Sequence, residues 1–255
     1  MKTKVGISTF VITYNEEASI ERCLNSVRPF SDEIIVVDSK STDRTASLAE
    51  GLADKVIIRE WEGYSAQKTF AMNQCRNEWV FWIDADEEAT PELQNEICKL
   101  TFDQAGYSMR RHNRYLGKWI DHGAWNPDIV LRLFRKNAAH FSDSLVHEHV
   151  VLTGPHAPLA NPLNHYSYRS ISHHLSKMNG FTTLAAQQML LKGKNCRLAD
   201  LTIRPMMHIF KSFVVRKGFL DGTQGLIVAL LDGYYTFQKY AKLWEIKNSK
   251  FSSVH

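Results

Sequence analysis

The sequence predicts an α/β protein: a mostly parallel sheet over residues 1–166, then a helical, basic and amphipathic region over residues 167–255. Two observations carry the first part. Short β-rich apolar runs alternate with stretches of helical spacing, and such repetition builds parallel sheets. Several of those runs also stop abruptly at polar or acidic residues, as buried strands do when they deliver charge to one edge of a sheet. The second part rests on a change of period after Tyr166, from strands to long helical repeats.

Residues 5–13 form the first apolar run, and after the Tyr14-Asn15-Glu16-Glu17 turn Ile20, Cys23, Leu24 and Val27 recur at helical spacing. The opening run imitates a secretion signal but lacks a small-residue cleavage site and leads straight into acids, so a strand is expected. Residues 33–38 predict a second strand ending in Asp38, and Ser41-Thr42-Asp43 then predicts the cap of a helix containing Ala46, Leu48 and Ala49. A short strand over residues 56–58 and a helix over residues 66–75 follow. The run from Trp79 to Ile83 ends in Asp84, Asp86, Glu87 and Glu88, and Thr90-Pro91-Glu92 supplies an N-cap, a first-turn proline and a first-turn acid. Beyond Tyr166, residues 171–191 predict one long helix before Gly193. Ile203, Met206, Met207, Phe210, Phe213 and Val214 predict a second, and residues 225–244 a third.

At 255 residues, with 44% hydrophobic and 23% charged residues, the chain is an ordinary globular one, long enough to bury a real core. Cys23, Cys75, Cys98 and Cys196 have no metal-finger spacing and read as reduced thiols of a cytoplasmic protein. No stretch reaches the roughly 18 to 20 apolar residues of a membrane span. The net charge of +4 is uneven: from Leu201 onward eight bases face three acids, whereas the 23 bases and 24 acids before them nearly cancel. A neutral body with a basic tail points to an anionic surface as partner.

Three polar strand ends, Thr13 to Asn15, Asp38 to Ser41 and Asp84 to Asp86, should converge where open α/β sheets bind ligands. Asp84 and Asp86 are two apart, so in extended geometry they share a face, and two hard oxygen ligands suit Mg²⁺ or Mn²⁺. The plainer alternative is a solvated acidic turn before a helix.

Phe10-Val11-Ile12-Thr13-Tyr14-Asn15-Glu16-Glu17, Ile35-Val36-Val37-Asp38-Ser39-Lys40-Ser41-Thr42-Asp43 and Trp82-Ile83-Asp84-Ala85-Asp86-Glu87 together resemble the inverting family 2 glycosyltransferases, in that family's order and spacing. The resemblance implies the GT-A fold, a Rossmann-like, mostly parallel nucleotide-sugar domain, here with a C-terminal helical extension. Gly63-Tyr64-Ser65-Ala66-Gln67-Lys68, Arg132-Leu133-Phe134, Val146-His147-Glu148 and Gly218-Phe219-Leu220-Asp221-Gly222 are similar to the branch that adds glucose to the inner core of lipopolysaccharide.

That resemblance implies a UDP-sugar donor, most simply UDP-glucose, and a heptose-containing lipopolysaccharide core as acceptor. Thr13, Asn15 and Glu16 would line the nucleotide pocket, with Asp38 accepting from the uracil and Ser39 adding a polar contact; a capping acid after a strand is the alternative for Asp38. Gln67 and Lys68 would bind phosphate or nucleotide, unless Lys68 is simply a surface-helix lysine. Asp84, Ala85 and Asp86 would carry the donor and its Mg²⁺ or Mn²⁺, with His165 recruited near the metal or diphosphate. Inverting transfer also needs a carboxylate that takes the acceptor proton. Among Asp121, Asp128, Asp143 and Glu148, the acceptor-site block selects Glu148.

Arg110-Arg111-His112-Asn113-Arg114-Tyr115 and Trp119, with Trp125-Asn126-Pro127-Asp128 after them, mix cations with aromatics and suit a phosphorylated sugar acceptor, with Arg110, Arg114, Trp125 and His147 expected to bind it. Single-stranded nucleic acid would suit such a surface too, but the metal and nucleotide blocks favour the sugar, so no nucleic acid beyond the donor's nucleotide is expected. The basic helices would either lie on the cytoplasmic face of the inner membrane, against anionic lipid, or pack on the body or on another subunit. Transfer to a polyprenyl phosphate, or sugar-nucleotide binding without turnover, are the rival functions; hexose, linkage and oligomeric state stay open.

Overall fold

The computed structural model describes residues 5–142 and 149–248. In chain order its elements are β1 (Ile7–Thr13), α1 (Ile20–Val27), β2 (Glu33–Asp38), α2 (Thr45–Glu50), β3 (Lys55–Ile58), α3 (Tyr64–Gln74), β4 (Trp79–Asp84), β5 (Glu87–Ala89) and α4 (Pro91–Cys98). There follow β6 (Gly106–Tyr115), β7 (Lys118–Ile120), β8 (Ile129–Arg135), β9 (Ala139–Phe141), β10 (Val150–Leu152), β11 (His156–Pro158) and β12 (Leu163–Tyr168). Four helices end the chain: α5 (Ile171–Leu191), α6 (Leu198–Leu201), α7 (Ile203–Phe210) and α8 (Gly222–Asn248).

The main sheet runs β3-β2-β1-β4-β8-β6-β12-β5. Strands β3, β2, β1 and β4 are parallel, as the alternation of apolar runs and helical spacing requires, whereas β8 joins β4 antiparallel and β6 joins β8 antiparallel. The sheet is therefore mixed. Its antiparallel half lies in the stretch between Glu87 and Tyr168, where strands are short and charge interrupts the period, so no strand is legible there from sequence.

The parallel half is buried on both faces. Along β4, Trp79, Phe81 and Ile83 enter one apolar cluster with β1, α1 and α4, while Val80 and Trp82 enter another with α3 and β9. Thr90 caps α4 by accepting from the Leu93 amide at 3.2 Å, with Pro91 following it, as its sequence predicts. Asp43 closes the entry to α2 by accepting from the Thr45 amide at 2.9 Å. The four cysteines are free.

Among the described residues, two compact units form: one from residues 5–112, 128–142 and 149–166, the other from residues 113–127 and 167–248. In the second unit Tyr115, Ile120 and Val228 make a small core, beside which Trp125, Tyr168 and His174 pack; the Tyr168 and His174 rings stack at 3.9 Å. Helix α8 admits its neighbours closely because it carries glycine at the contacts. A Cβ on Gly233 would meet Ile209 Cγ1 at 2.4 Å, and one on Gly225 would meet the Gly218 carbonyl oxygen at 1.9 Å.

Asp232 sits in this unit with Oδ1 accepting from the Trp125 indole at 3.2 Å and Oδ2 buried without a hydrogen-bond partner among the described residues. Burial lifts its pKa to about 6, although the Trp125 bond and Arg216 pull the other way. An acid whose folded pKa is raised binds its proton more tightly folded than unfolded, so its contribution to stability falls as pH rises from about 3.8 to about 6. Asp232→Asn keeps an acceptor for the indole and is expected to stabilise the chain at pH 7 by up to roughly 3 kcal/mol. The gain should vanish below about pH 4. Urea unfolding of both forms at the two pH values measures it, and a pH-independent difference would refute it.

Candidate functional site

Register places the three polar strand ends side by side. Thr13 pairs with Asp38 across β1 and β2, and Ile12 pairs with Asp84 across β1 and β4. Helix α3 then brings its first turns over the same edge. Gly63 enters that helix at φ +103, with open space around the place a Cβ would occupy, so it is the backbone angle that calls for glycine there.

The first two loops are locked to each other. Asn15, in the left-handed region at φ 55, donates its amide to Ser41 Oγ at 2.8 Å and accepts from the Thr42 amide at 2.8 Å. Asp38, fully buried, accepts from the Ser41 amide at 2.8 Å and the Ser41 hydroxyl at 2.5 Å. Asp38 thus holds the turn after its strand, the capping alternative, and each carboxylate oxygen keeps a second lone pair. The Glu16 amide donates to Thr45 Oγ1 at 2.8 Å. Thr13 Oγ1 is buried and, among the described residues, has no hydrogen-bond partner.

Gln67 and Lys68 are buried, which excludes the surface-helix alternative for Lys68. Gln67 Nε2 donates to Ser39 Oγ at 3.1 Å, and Arg59 donates to Gln67 Oε1 at 2.5 Å. Lys68 Nζ lies 3.9 Å from the Trp82 ring centre and 3.8 Å from Asp84 Oδ1. From β8, the fully buried Arg132 lies 3.4 Å over Trp82, donates to Asp84 Oδ2 at 2.8 Å and also bonds Glu87. Arg111 completes the group, bonding Glu87 at 3.3 Å and Asp128 at 2.8 Å. Burial alone would raise the Asp84 pKa, but Lys68, Arg132 and Arg111 hold it well below the usual carboxylate range.

Asp84 and Asp86 do not share a strand face. The chain turns at Ala85 and Asp86 so that β5 can pair with β12, leaving Asp84 toward the cations and Asp86 beside His165, with Oδ1 and Nε2 3.5 Å apart. Among the described residues no three His, Cys, Asp or Glu side chains form a metal cage. A carboxylate oxygen beside an imidazole nitrogen nevertheless fits Mg²⁺ or Mn²⁺ at a nucleotide site, because such ions take one or two protein ligands and fill the rest with phosphate oxygens and water.

Of the expected acceptor residues, Arg110 lies on β6 in the first unit, and Arg114 and Trp125 belong to the second. The run from Arg110 to Tyr115 is not one cationic surface. It is a strand, so alternate side chains point inward: Asn113 and Tyr115 are buried, and Arg111 is tied to two acids. His147 and Glu148, and the rejected Asp143, lie outside the described residues; Asp121 is exposed. Arg132 and Glu87 have no role assigned from sequence, and Arg111 enters there only as part of the acceptor run. The available signal was an arginine inside the otherwise apolar run from Ile129 to Phe134, which demands a buried anion.

A family model, glycosyl transferase family 2, matches residues 8–150. An uncharacterized glycosyltransferase of Rickettsia felis is 36% identical over 94% of this chain and 89% of its own length. The lipopolysaccharide core biosynthesis glycosyltransferase LpsC of Rhizobium meliloti is 30% identical over 96% of this chain and 94% of its own. Among solved structures, S. aureus TarS 1-349 in complex with UDP-GlcNAc superposes with a TM-score of 0.48 at 16% identity, covering 98% of this chain and 93% of that one. Glucosyl-3-phosphoglycerate synthase from Mycobacterium tuberculosis, in complex with Mn²⁺, UDP and glucosyl-3-phosphoglycerate, has a TM-score of 0.35 at 26% identity, covering 44% of this chain and 45% of that one.

Proposed function

The chain belongs to glycosyl transferase family 2 and is a GT-A-type transferase; from that premise we propose that it is an inverting enzyme that moves a hexose from a UDP-sugar to a heptose of the lipopolysaccharide inner core. Glucose from UDP-glucose is the simplest donor. The lipid-linked acceptor puts the reaction at the cytoplasmic face of the inner membrane. One observation carries the donor site: the Thr13 hydroxyl, which has no partner among the described residues and is buried at the end of β1 where register also sets Asp38 and Asp84. A buried hydroxyl left without a partner is costly unless something arrives to bond it.

In this reading residues 1–166 are the catalytic domain and residues 167–255 its helical extension. Thr13, Asn15, Glu16, Asp38 and Ser39 form the nucleotide wall, with Gln67 fixing Ser39 and Lys68 placing a point charge by the diphosphate. Asp86 and His165 would hold a divalent cation, which when bound neutralises the leaving diphosphate, while Asp84 faces Lys68 and Arg132. The acceptor hydroxyl attacks the anomeric carbon from the face opposite the diphosphate, Glu148 takes its proton, and the bond to the diphosphate oxygen breaks. Arg110, Arg114, Trp125 and His147 hold the acceptor.

A panel of UDP-hexoses, assayed for hydrolysis and for transfer to deacylated heptose-containing core or to polyprenyl phosphate, tests the proposal. One UDP-hexose should be consumed, with the heptose acceptor preferred. Activity should fall in EDTA and return with Mn²⁺ or Mg²⁺, and Asp86→Ala should raise the metal concentration required by about 10- to 100-fold. No turnover of any UDP-sugar would sink the donor assignment, and full activity in EDTA would sink the metal.

A further inference from the structure

Between Asp200 and Asp221 the chain carries no acid, four Lys or Arg residues and eight large apolar side chains that stay exposed. Helix α7 and the π-helical turn after it, Lys211–Val215, bury one narrow side: Pro205 and Ser212 are buried, and Ile209 presses on Gly233. The outward side is the opposite of a solvated surface. Met206 is 69% exposed, Met207 56%, Phe210 53%, Val215 60% and Leu220 53%. Met206, Ile209, Phe210, Phe213 and Val214 line an open furrow of about 240 Å³. Arg204, Lys211, Arg216 and Lys217 are exposed among them. Lys217 stands at φ 58, a conformation that favours glycine or asparagine, yet the position is a lysine.

We infer that this face of α7 and the turns on to Leu220 is a docking surface for an anionic lipid bilayer. A contiguous exposed apolar patch edged by charge marks a contact, and its charge decides the partner. Protein interfaces are depleted in lysine at their cores. A second copy docked by a two-fold axis would set bases against bases. A bilayer interface takes this mixture: apolar side chains enter the acyl boundary while the basic ends reach anionic headgroups. The bases do cluster: beyond its burial, His208 is pushed down by Lys239, Lys211, Arg204 and Arg216 together. Among the described residues no helix is long and apolar enough to cross a membrane, so the face lies on the bilayer.

This face would bind a bilayer whichever sugar and acceptor the enzyme uses. The test is flotation of the full chain with vesicles of phosphatidylcholine containing about 30% phosphatidylglycerol, against pure phosphatidylcholine, at low and high salt. The protein should float with the anionic vesicles and be released by salt. Lys211→Glu/Arg216→Glu/Lys217→Glu should weaken binding by at least on the order of 100-fold, taking roughly five-fold per lost base, with the new acids adding repulsion. Met206→Gln/Phe210→Gln should weaken it at both salt concentrations. All altered side chains are exposed, so circular dichroism and melting should match the parent. Three results would overturn the inference: no flotation at low salt, unchanged binding by both variants, or a dimer of the parent chain that Met206→Gln/Phe210→Gln dissociates.

Discussion

Replacing Arg132 with methionine should destabilise the protein by roughly 3–5 kcal/mol, the range for removing one partner of a buried ion pair. Arg132 has no exposed surface and serves two acids, Asp84 and the fully buried Glu87. Without it Glu87 is left with the Asp84 amide at 3.1 Å and Arg111 at 3.3 Å, and Asp84 with Lys68, 3.8 Å away. One effect opposes the loss: Arg132 Nε and Nη1 are buried without hydrogen-bond partners among the described residues, so methionine relieves two unsatisfied donors. The stranded carboxylates outweigh them because two buried acids lose a counter-charge and its hydrogen bonds, whereas each unsatisfied N–H only forgoes one hydrogen bond. The melting temperature should drop by on the order of 10 °C. Pairing the change with Glu87→Gln should recover part of the loss, because the two residues are coupled. Arg132→Lys should not rescue it, since an ammonium supplies neither the two-acid fork nor the flat stack on Trp82.

The pH dependence has a definite sign. Asp84 is held below its ordinary pKa when folded, so its share of stability is complete at neutral pH and is lost as pH falls through that depressed value. The penalty of Arg132→Met should therefore be greatest at neutral pH and shrink in strong acid. A penalty below about 1 kcal/mol at pH 7, or one that grows on acidification, would contradict this account of the cluster.

Glu148→Gln should lower kcat/KM by about 10²–10⁴, the usual contribution of a general base. The amide has nearly the same shape but cannot take the acceptor proton, so the loss should fall on kcat while calorimetry finds UDP binding unchanged. If transfer survives, the base is another carboxylate. Asp128 is then the weaker choice, because Arg111 already occupies it.

The parallel half of the fold was legible in the sequence because each strand is an apolar run and each helix has a polar punctuation. The run at residues 33–38 and the helix at residues 171–191 have the predicted bounds in the structure. The helix predicted over residues 66–75 begins earlier, at Tyr64, because Gly63 turns the chain into it. The predicted second helix of the tail ends at Phe210 and continues as a π-helical turn. The strands from Gly106 to Tyr168 left no such trace, since their partners are distant in sequence and their inward positions include Asn113 and Arg132. The strand ends were visible as polar residues after apolar runs, but not what would meet them: nothing local in Asp84 says that a lysine from α3 and an arginine from β8 will flank it across one indole.

The lock between the first two loops has a thermodynamic consequence for any ligand of that edge. Asn15, Ser41, Thr42 and Asp38 already spend their local hydrogen bonds on one another, across more than twenty residues of chain. Their conformational freedom is surrendered at folding, together with the strands that carry them, and not at binding. A ligand there meets a wall that is already set, so affinity tracks how well its polar atoms match fixed positions. Ligands that differ by one misplaced donor should be separated sharply, because the wall cannot relax to accommodate them.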